Sequence, residues 1–279
     1  MFKNLLVHIP TERSPRPVIE GSVSLAHTCG AHLDALAIGY VSTTNVPFVA
    51  EGGAAVAAIF EVEGQRATEG AEAALGVFEV EASKAGISYS GRTLGTIPAD
   101  AASIAGATAR LYDLTIALQP EFDRATFDNT LPQEILFQAG GPVLFMPYTF
   151  RGAFTAKRIG ICWNGSRLAA RALRDAMPLL RQADALTIIT IRNGETPPVE
   201  SSSEHLIRHL ARAGLPARIA SFAAGRADIQ PALLSIAADE RLDLLVMGGY
   251  GHSRLQEIVL GGVTREMLRS MTVPTLMSH

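Results

Sequence analysis

Glycines recur near the end of this chain at a spacing that could hold an anion. Gly248-Gly249-Tyr250-Gly251 follows the apolar run Leu242–Met247, and Gly261-Gly262-Val263-Thr264 follows after nine further residues. Backbone without a Cβ can approach a ligand closely, with its N–H groups turned outward. A helical pattern follows the glycine turn, and the amino end of a helix adds a partial positive charge that suits phosphate. His252, Ser253 and Arg254 come directly after the first turn and could donate to such a group or cap a helix. A second polar turn, Trp163-Asn164-Gly165-Ser166, ends another apolar run. Asn164 can hydrogen-bond a hydroxyl, and Ser166 suits a helix N-cap.

Other arrangements are poorer in chemistry. His205 and His209 lie four apart on a helical pattern, but no Glu or third ligand accompanies them, so a solvated helix face is the better reading. No Gly-x-Ser-x-Gly elbow supports a nucleophilic triad around His252-Ser253. No Gly-x4-Gly-Lys-Ser/Thr loop occurs, and Lys3, Lys84 and Lys157 are the only lysines, which excludes P-loop phosphoryl transfer. The glycines could also be a tight turn, Asn-Gly-Ser a plain helix start, and Trp163 either a wall for a base or core filling.

The elements that must position these residues alternate. Phe2–Ile9 reads as a strand, Val18–Cys29 as a helix closed by Gly30, and Ala31–Val41 as a second strand. A long helix from Gly52 to Ala85 should turn Phe60, Leu75 and Phe78 inward. Strands at Ile87–Leu94, Asp113–Leu118 and Pro142–Met146 follow, with helices at Pro98–Leu111 and Pro132–Gln138 between them. Such alternation argues for a parallel sheet covered on both faces.

The pattern then restarts. Lys157-Arg-Ile-Gly-Ile-Cys-Trp repeats Lys3-Asn-Leu-Leu-Val-His-Ile, Asp243-Leu-Leu-Val-Met aligns with Asp113-Leu-Thr-Ile-Ala, and Pro274–Met277 with Pro142–Met146. The second set comprises a helix Arg167–Leu180, a strand Ala185–Ile191, a helix Glu204–Ala213, a strand Ala217–Phe222, a helix Asp228–Glu240 and the strand Leu242–Met247. A repeat of this size means two homologous α/β domains, 1–150 and 156–279, joined by Tyr148–Thr155. Both fifth strands are apolar edges that need covering, so the halves should meet there as a pseudo-dimer; a homodimer of the chain stays open.

Gly248-x-x-Gly251, nine residues and Gly261 resemble the ATP-binding signature of the universal stress protein family, with Gly262 where that family prefers a hydroxyl. The closing Val-Pro-Thr-Leu-Met strand is similar to that family's ending, and the whole chain resembles a tandem member. The resemblance implies two doubly wound, five-stranded α/β/α domains of Rossmann-like type. It further implies a cytoplasmic stress-response protein that holds ATP or a related adenine nucleotide in its second domain. The adenine would sit near Thr190 and Ile191. Ribose and phosphates would lie near Trp163, Asn164, Gly165, Ser166, Gly248, Gly249, Gly251, His252, Ser253, Arg254, Gly261, Gly262, Val263 and Thr264. The family commonly has Asp at position 164; Asn164 brings no charge to a cation, which leaves Mg2+ open. No residue is an obvious base, so hydrolysis would be slow at best. A weak nucleotide-dependent enzyme using the same crevice and a ligand-free interaction module are the rivals.

Composition bounds the rest. At 279 residues, 48% hydrophobic and 18% charged, the chain is a well-cored globule. The net charge of −3 is uneven, because residues 1–151 carry 9 Lys/Arg against 16 Asp/Glu and residues 152–279 carry 15 against 11. The basic balance falls with the glycines. In the first half Glu121 and Asp123 stand where phosphates would go, which makes that half a degenerate partner. No basic run argues for nucleic acid, no long apolar stretch for a membrane span, and two isolated cysteines fit a reducing compartment.

Overall fold

The computed structural model describes residues 1–41, 53–192, 198–225, 228–249 and 262–279. Among them, ten strands form one sheet: β1 (Asn4–Ile9), β2 (His32–Tyr40), β3 (Tyr89–Thr96), β4 (Leu114–Leu118), β5 (Val143–Met146), β6 (Arg158–Cys162), β7 (Ala185–Arg192), β8 (Ala217–Ala223), β9 (Leu244–Gly248) and β10 (Thr275–Ser278). Their order is β3-β2-β1-β4-β5-β10-β9-β6-β7-β8. Each half therefore runs 3-2-1-4-5, where the five-strand order 2-1-3-4-5 is the commoner relative. In both orders the chain reverses direction across the sheet beside the first strand.

β5 and β10 pair antiparallel, with Leu144 opposite Leu276, and the other ladders are parallel. Each fifth strand would otherwise present a row of unpaired N–H and C=O groups, and each covers the other. Both strands are wholly buried.

Helices cover both faces. The helices Arg16–Cys29, Gly53–Lys84, Arg167–Asp175, Met177–Leu180 and Ser203–Arg212 share one apolar cluster with the sheet. Pro98–Ala109, Leu131–Gln138, Ile229–Asp239 and Val263–Ser270 share the other. The repeat recurs in polar detail. The Asp113 carboxylate accepts the N–H groups of Lys3 and Asn4 at 2.7 and 3.0 Å, and Asp243 accepts those of Lys157 and Arg158, both at 2.9 Å. In each half an acid before the fourth strand thus anchors the start of the first. The connecting segment lies along helix Arg16–Cys29, where Gly152 N–H donates to Glu20 and Phe154 N–H to Ser24. No helix of the described residues is long and apolar enough to cross a membrane.

Two sequence expectations fail. Arg167–Leu180 is not one helix but Arg167–Asp175 and Met177–Leu180, because Pro178 lacks the N–H and its ring crowds the preceding turn. Phe60 does not face inward. It is 38% exposed, while Leu75 and Phe78 of the same helix are buried against the sheet.

Candidate functional site: two crevices at equivalent strand ends

In the second half, β6 and β9 are neighbours, and the helices that follow them lie on opposite faces. The strand ends therefore open onto a crevice. On its β6 side, Trp163 is buried, its N–H extends the ladder to Ile189, and its indole N–H donates to the Ser201 carbonyl at 2.7 Å. The indole is thus pinned under the turn Val199–Ser201 as packing. Asn164 is exposed, and its Oδ1 accepts the Ser166 N–H at 3.1 Å. Gly165 between them has a φ of 74°, which favours glycine. Ser166 caps helix Arg167–Asp175 by accepting the Ala169 N–H at 3.2 Å.

On the β9 side the first glycine has a different reason from ligand approach. A Cβ on Gly248 would lie 2.7 Å from the Leu168 carbonyl carbon and 2.8 Å from the Ala169 nitrogen. The helix that follows β6 comes down on the end of β9, and only glycine leaves it room. Gly249 donates its N–H to Ser278 at 2.9 Å, and its carbonyl lies 3.1 Å from His279 Nδ1. Gly251, His252, Ser253, Arg254 and Gly261 lie outside the described residues. Gly262 is the N-cap of helix Val263–Ser270 in extended conformation, with no capping side chain. Thr264 is buried, Val263, Thr190 and Ile191 are half-buried, and Arg265 is exposed. The first N–H groups of a helix have no intrahelical partner, so this end can receive an anion.

The first half has the same crevice between β1 and β4, and there it is closed by the chain itself. Asp128, in the short turn Phe127–Asn129, is fully buried. Its Oδ2 accepts the N–H groups of Thr11 and Glu12 at 2.9 and 2.7 Å, and its Oδ1 accepts the Tyr40 hydroxyl at 3.0 Å. The Glu12 carboxylate in turn accepts the N–H groups of Phe127 and Asp128 at 2.6 and 3.2 Å. By the repeat, Thr11 and Glu12 match Gly165 and Ser166: Asp128 accepts the first pair of amides, while the Ser166 N–H donates to the neighbouring Asn164 Oδ1.

Burial governs the charges of this cluster. Desolvation raises the Asp128 carboxyl, against the N–H of Glu12, the Tyr40 hydroxyl and Arg13, and it raises Glu12 as well. His8 is pushed down to about 3 by burial and then by Arg13. Its imidazole is therefore neutral, although Nε2 lies 3.9 Å from Asp128. Arg13 is buried and loses hydration, which Asp128 and Glu121 offset, and its Nη1 donates to the Gln119 carbonyl at 2.8 Å.

Glu121 and Asp123 were the acids expected here, and neither enters the crevice. Glu121 lies 3.6 Å from Arg13 at the rim, and Asp123 is almost wholly exposed, 4.0 Å from Arg269. The acid that does enter is Asp128, which aligns with the stretch just before the Gly261-Gly262 pair; following the repeat through to that position would have found it. Of the lone histidine pair, His205 turns Nδ1 to the Val199 carbonyl at 2.6 Å. Among the described residues no group of three or more His, Cys, Asp or Glu could hold a metal.

Known proteins resemble this chain in sequence or in fold. The model of the universal stress protein family matches residues 155–279. A universal stress protein of Synechocystis is 27% identical over 137 residues, 48% of this chain and 46% of that protein. One of Methanocaldococcus jannaschii is 39% identical over 44 residues, 16% of this chain and 27% of that protein. The chain thus spans less than half the length of the curated relatives it matches. The structure of a universal stress protein from Archaeoglobus fulgidus shares the fold, with a TM-score of 0.72 over 98% of this chain and 97% of that one, at 16% identity.

Proposed function

We propose, from the match of residues 155–279 to the universal stress protein family, that this half of a tandem chain binds one adenine nucleotide, ATP or a relative, as a stress-responsive sensor. In this reading the domains are 1–150 and 156–279, the setting is cytoplasmic, and the first half is a partner without a nucleotide. The observation that carries it is the contrast between the two crevices. At the end of β6 Asn164 is exposed, and among the described residues no carboxylate is hydrogen-bonded to the turn Asn164-Gly165-Ser166. That turn lies beside a strand that ends in glycine and the amino end of helix Val263–Ser270. At the end of β1 the corresponding amides already hold the Asp128 carboxylate. A phosphate about 5 Å from that charge would be repelled by roughly 3 kcal/mol at an effective dielectric near 20, over a hundredfold in affinity. The protein is read as a binder because Asn164 supplies neither a base nor a charge for a metal ion.

Calorimetric titration of the intact chain with ATP tests this, with fluorescence of Trp163, the sole tryptophan, as a second signal. One nucleotide per chain is expected, abolished in Gly251→Val, where a branched side chain interrupts the glycine signature. No binding by the native chain, a stoichiometry of two, or unchanged affinity in the variant would overturn it. Steady-state phosphate release well above background would move the reading to a slow ATPase.

A further inference from the structure

We propose that Gln119, in the first half, is a positioning residue for the nucleotide site of the second, acting as a helix cap supplied from across the chain. This rests on the reading above and adds a task for the half that binds no nucleotide.

Gln119 follows β4 as Gly249 follows β9, and the two backbones do the same thing. Gln119 N–H donates to Met146 at the end of β5 at 2.8 Å, and Gly249 N–H to Ser278 at the end of β10 at 2.9 Å. Each then looks across the β5–β10 junction at the other half. Gln119 is fully buried, its Nε2 donates to the Leu268 carbonyl at 2.9 Å, and its Oε1 accepts the Tyr148 N–H at 3.3 Å. On the equivalent path, a Cβ on Gly249 would meet Leu136 Cδ2 at 3.1 Å, and Leu136 occupies in its helix the place Leu268 occupies in its own. The crossing is symmetric in position and asymmetric in chemistry: one side has a carboxamide, the other no side chain.

Leu268 stands in the last turn of Val263–Ser270, whose carbonyls have no intrahelical donor. The carboxamide satisfies one of them. The Gln119 backbone is itself held, since its carbonyl accepts the buried Arg13 guanidinium. A helix this short, roughly 12 Å at 1.5 Å per residue, moves as a rod. A cap that locks its carboxyl end therefore also sets where the amides after Gly262 stand, and those amides are the ones assigned to phosphate.

Gln119→Glu separates positioning from packing. A protonated carboxyl keeps one donor and one acceptor and can restore both bonds, whereas a carboxylate facing the Leu268 carbonyl cannot. ATP affinity would be measured at pH 9 and pH 5.5, each normalised to the native chain at the same pH. The expected result is about tenfold weaker binding by Gln119→Glu at pH 9, the scale of one lost hydrogen bond, and recovery to within about threefold at pH 5.5. Gln119→Leu should stay weak at both. Native-like binding by both variants at both pH values overturns the inference while leaving the nucleotide reading intact. If the native chain binds no ATP, the nucleotide reading fails instead, and hydrogen exchange of the Val263–Leu268 amides decides the cap. Faster exchange in Gln119→Leu than in the native chain supports it, and equal exchange overturns it.

Discussion

Glu12 and Asp128, 116 residues apart, hydrogen-bond each other reciprocally: the Asp128 carboxylate accepts the Glu12 N–H at 2.7 Å, and the Glu12 carboxylate accepts the Asp128 N–H at 3.2 Å. A capping box at a helix start uses the same reciprocity to satisfy two orphan donors. Here it ties the turn after β1 to the turn after β4 and shuts the first crevice. Nucleotide sites in this architecture form where those two turns diverge. In the first half that divergence is bridged by the chain itself, which is the basis for reading the two halves as unequal.

Removal of the Asp128 side chain should therefore be costly, and its neutralisation should not. Asp128→Ala leaves the Thr11 and Glu12 N–H groups buried without acceptors, a loss of about 3 kcal/mol in urea unfolding at neutral pH. Asp128→Asn keeps the oxygen that accepts the two N–H groups and removes a charge that burial disfavours, and the NH2 that replaces Oδ1 can donate to the Tyr40 hydroxyl oxygen where the carboxylate accepted from it. It should unfold within about 1 kcal/mol of the native chain. Equal losses in the two variants would show that the carboxylate charge, not the acceptor, holds the turn.

His8 gives the first half a pH dependence of definite sign. Its folded pKa is depressed from 6.5 to about 3, so the folded state holds it neutral while the unfolded chain protonates it below 6.5. The contribution is complete above pH 6.5 and is lost as pH falls toward 3, by at most about 1.4 kcal/mol per unit. Asp128 and Glu12, both raised, act in the opposite sense from the ordinary carboxylate range upward. His8→Gln should therefore gain on the native chain between pH 7.5 and pH 5 in denaturant titrations. Parallel pH profiles would mean that the imidazole is hydrated in the folded protein.

Much of this architecture was legible because it was written twice. The Lys3–Lys157 and Asp113–Asp243 correspondences are visible as strings, and the clip from each aspartate to the first strand is their physical cause. The apolar fifth strands announced their pairing for the same reason any unpaired edge does. What was not legible depends on the third dimension. Pro178 looked compatible with one long helix until its missing N–H was placed in a turn. Glu121 and Asp123 looked right by proximity in sequence, but a loop's acids do not all face one way, and Asp128 took the position. Gln119 carried no signal at all, since its partner Leu268 is 149 residues away.

Gly248 is the glycine of the signature whose role the geometry makes structural. Gly248→Ala would put a methyl group against the main chain at Leu168 and Ala169, which cannot move without lifting helix Arg167–Asp175 off the sheet. The expected loss is about 1–3 kcal/mol in thermal or urea unfolding, typical of overpacking. Bound ATP should restore part of it, because only the folded state has the site. A variant with native stability and no nucleotide binding would return Gly248 to the ligand.

In the proposed site, Asn164 decides what a divalent cation would meet. It is exposed at the mouth of the crevice, and its Oδ1 is already committed to the Ser166 N–H. A neutral carboxamide cannot supply the charge with which a carboxylate holds Mg2+. Native affinity for ATP should then change by no more than about threefold when Mg2+ is replaced by EDTA. Asn164→Asp can still accept the Ser166 N–H, so the turn should survive, but a carboxylate beside the phosphates repels them unless a cation intervenes. Its affinity should fall about tenfold in EDTA and return when Mg2+ is added, read by calorimetry with the same nucleotide. A native chain whose binding collapses in EDTA would show that the metal is held by residues other than Asn164.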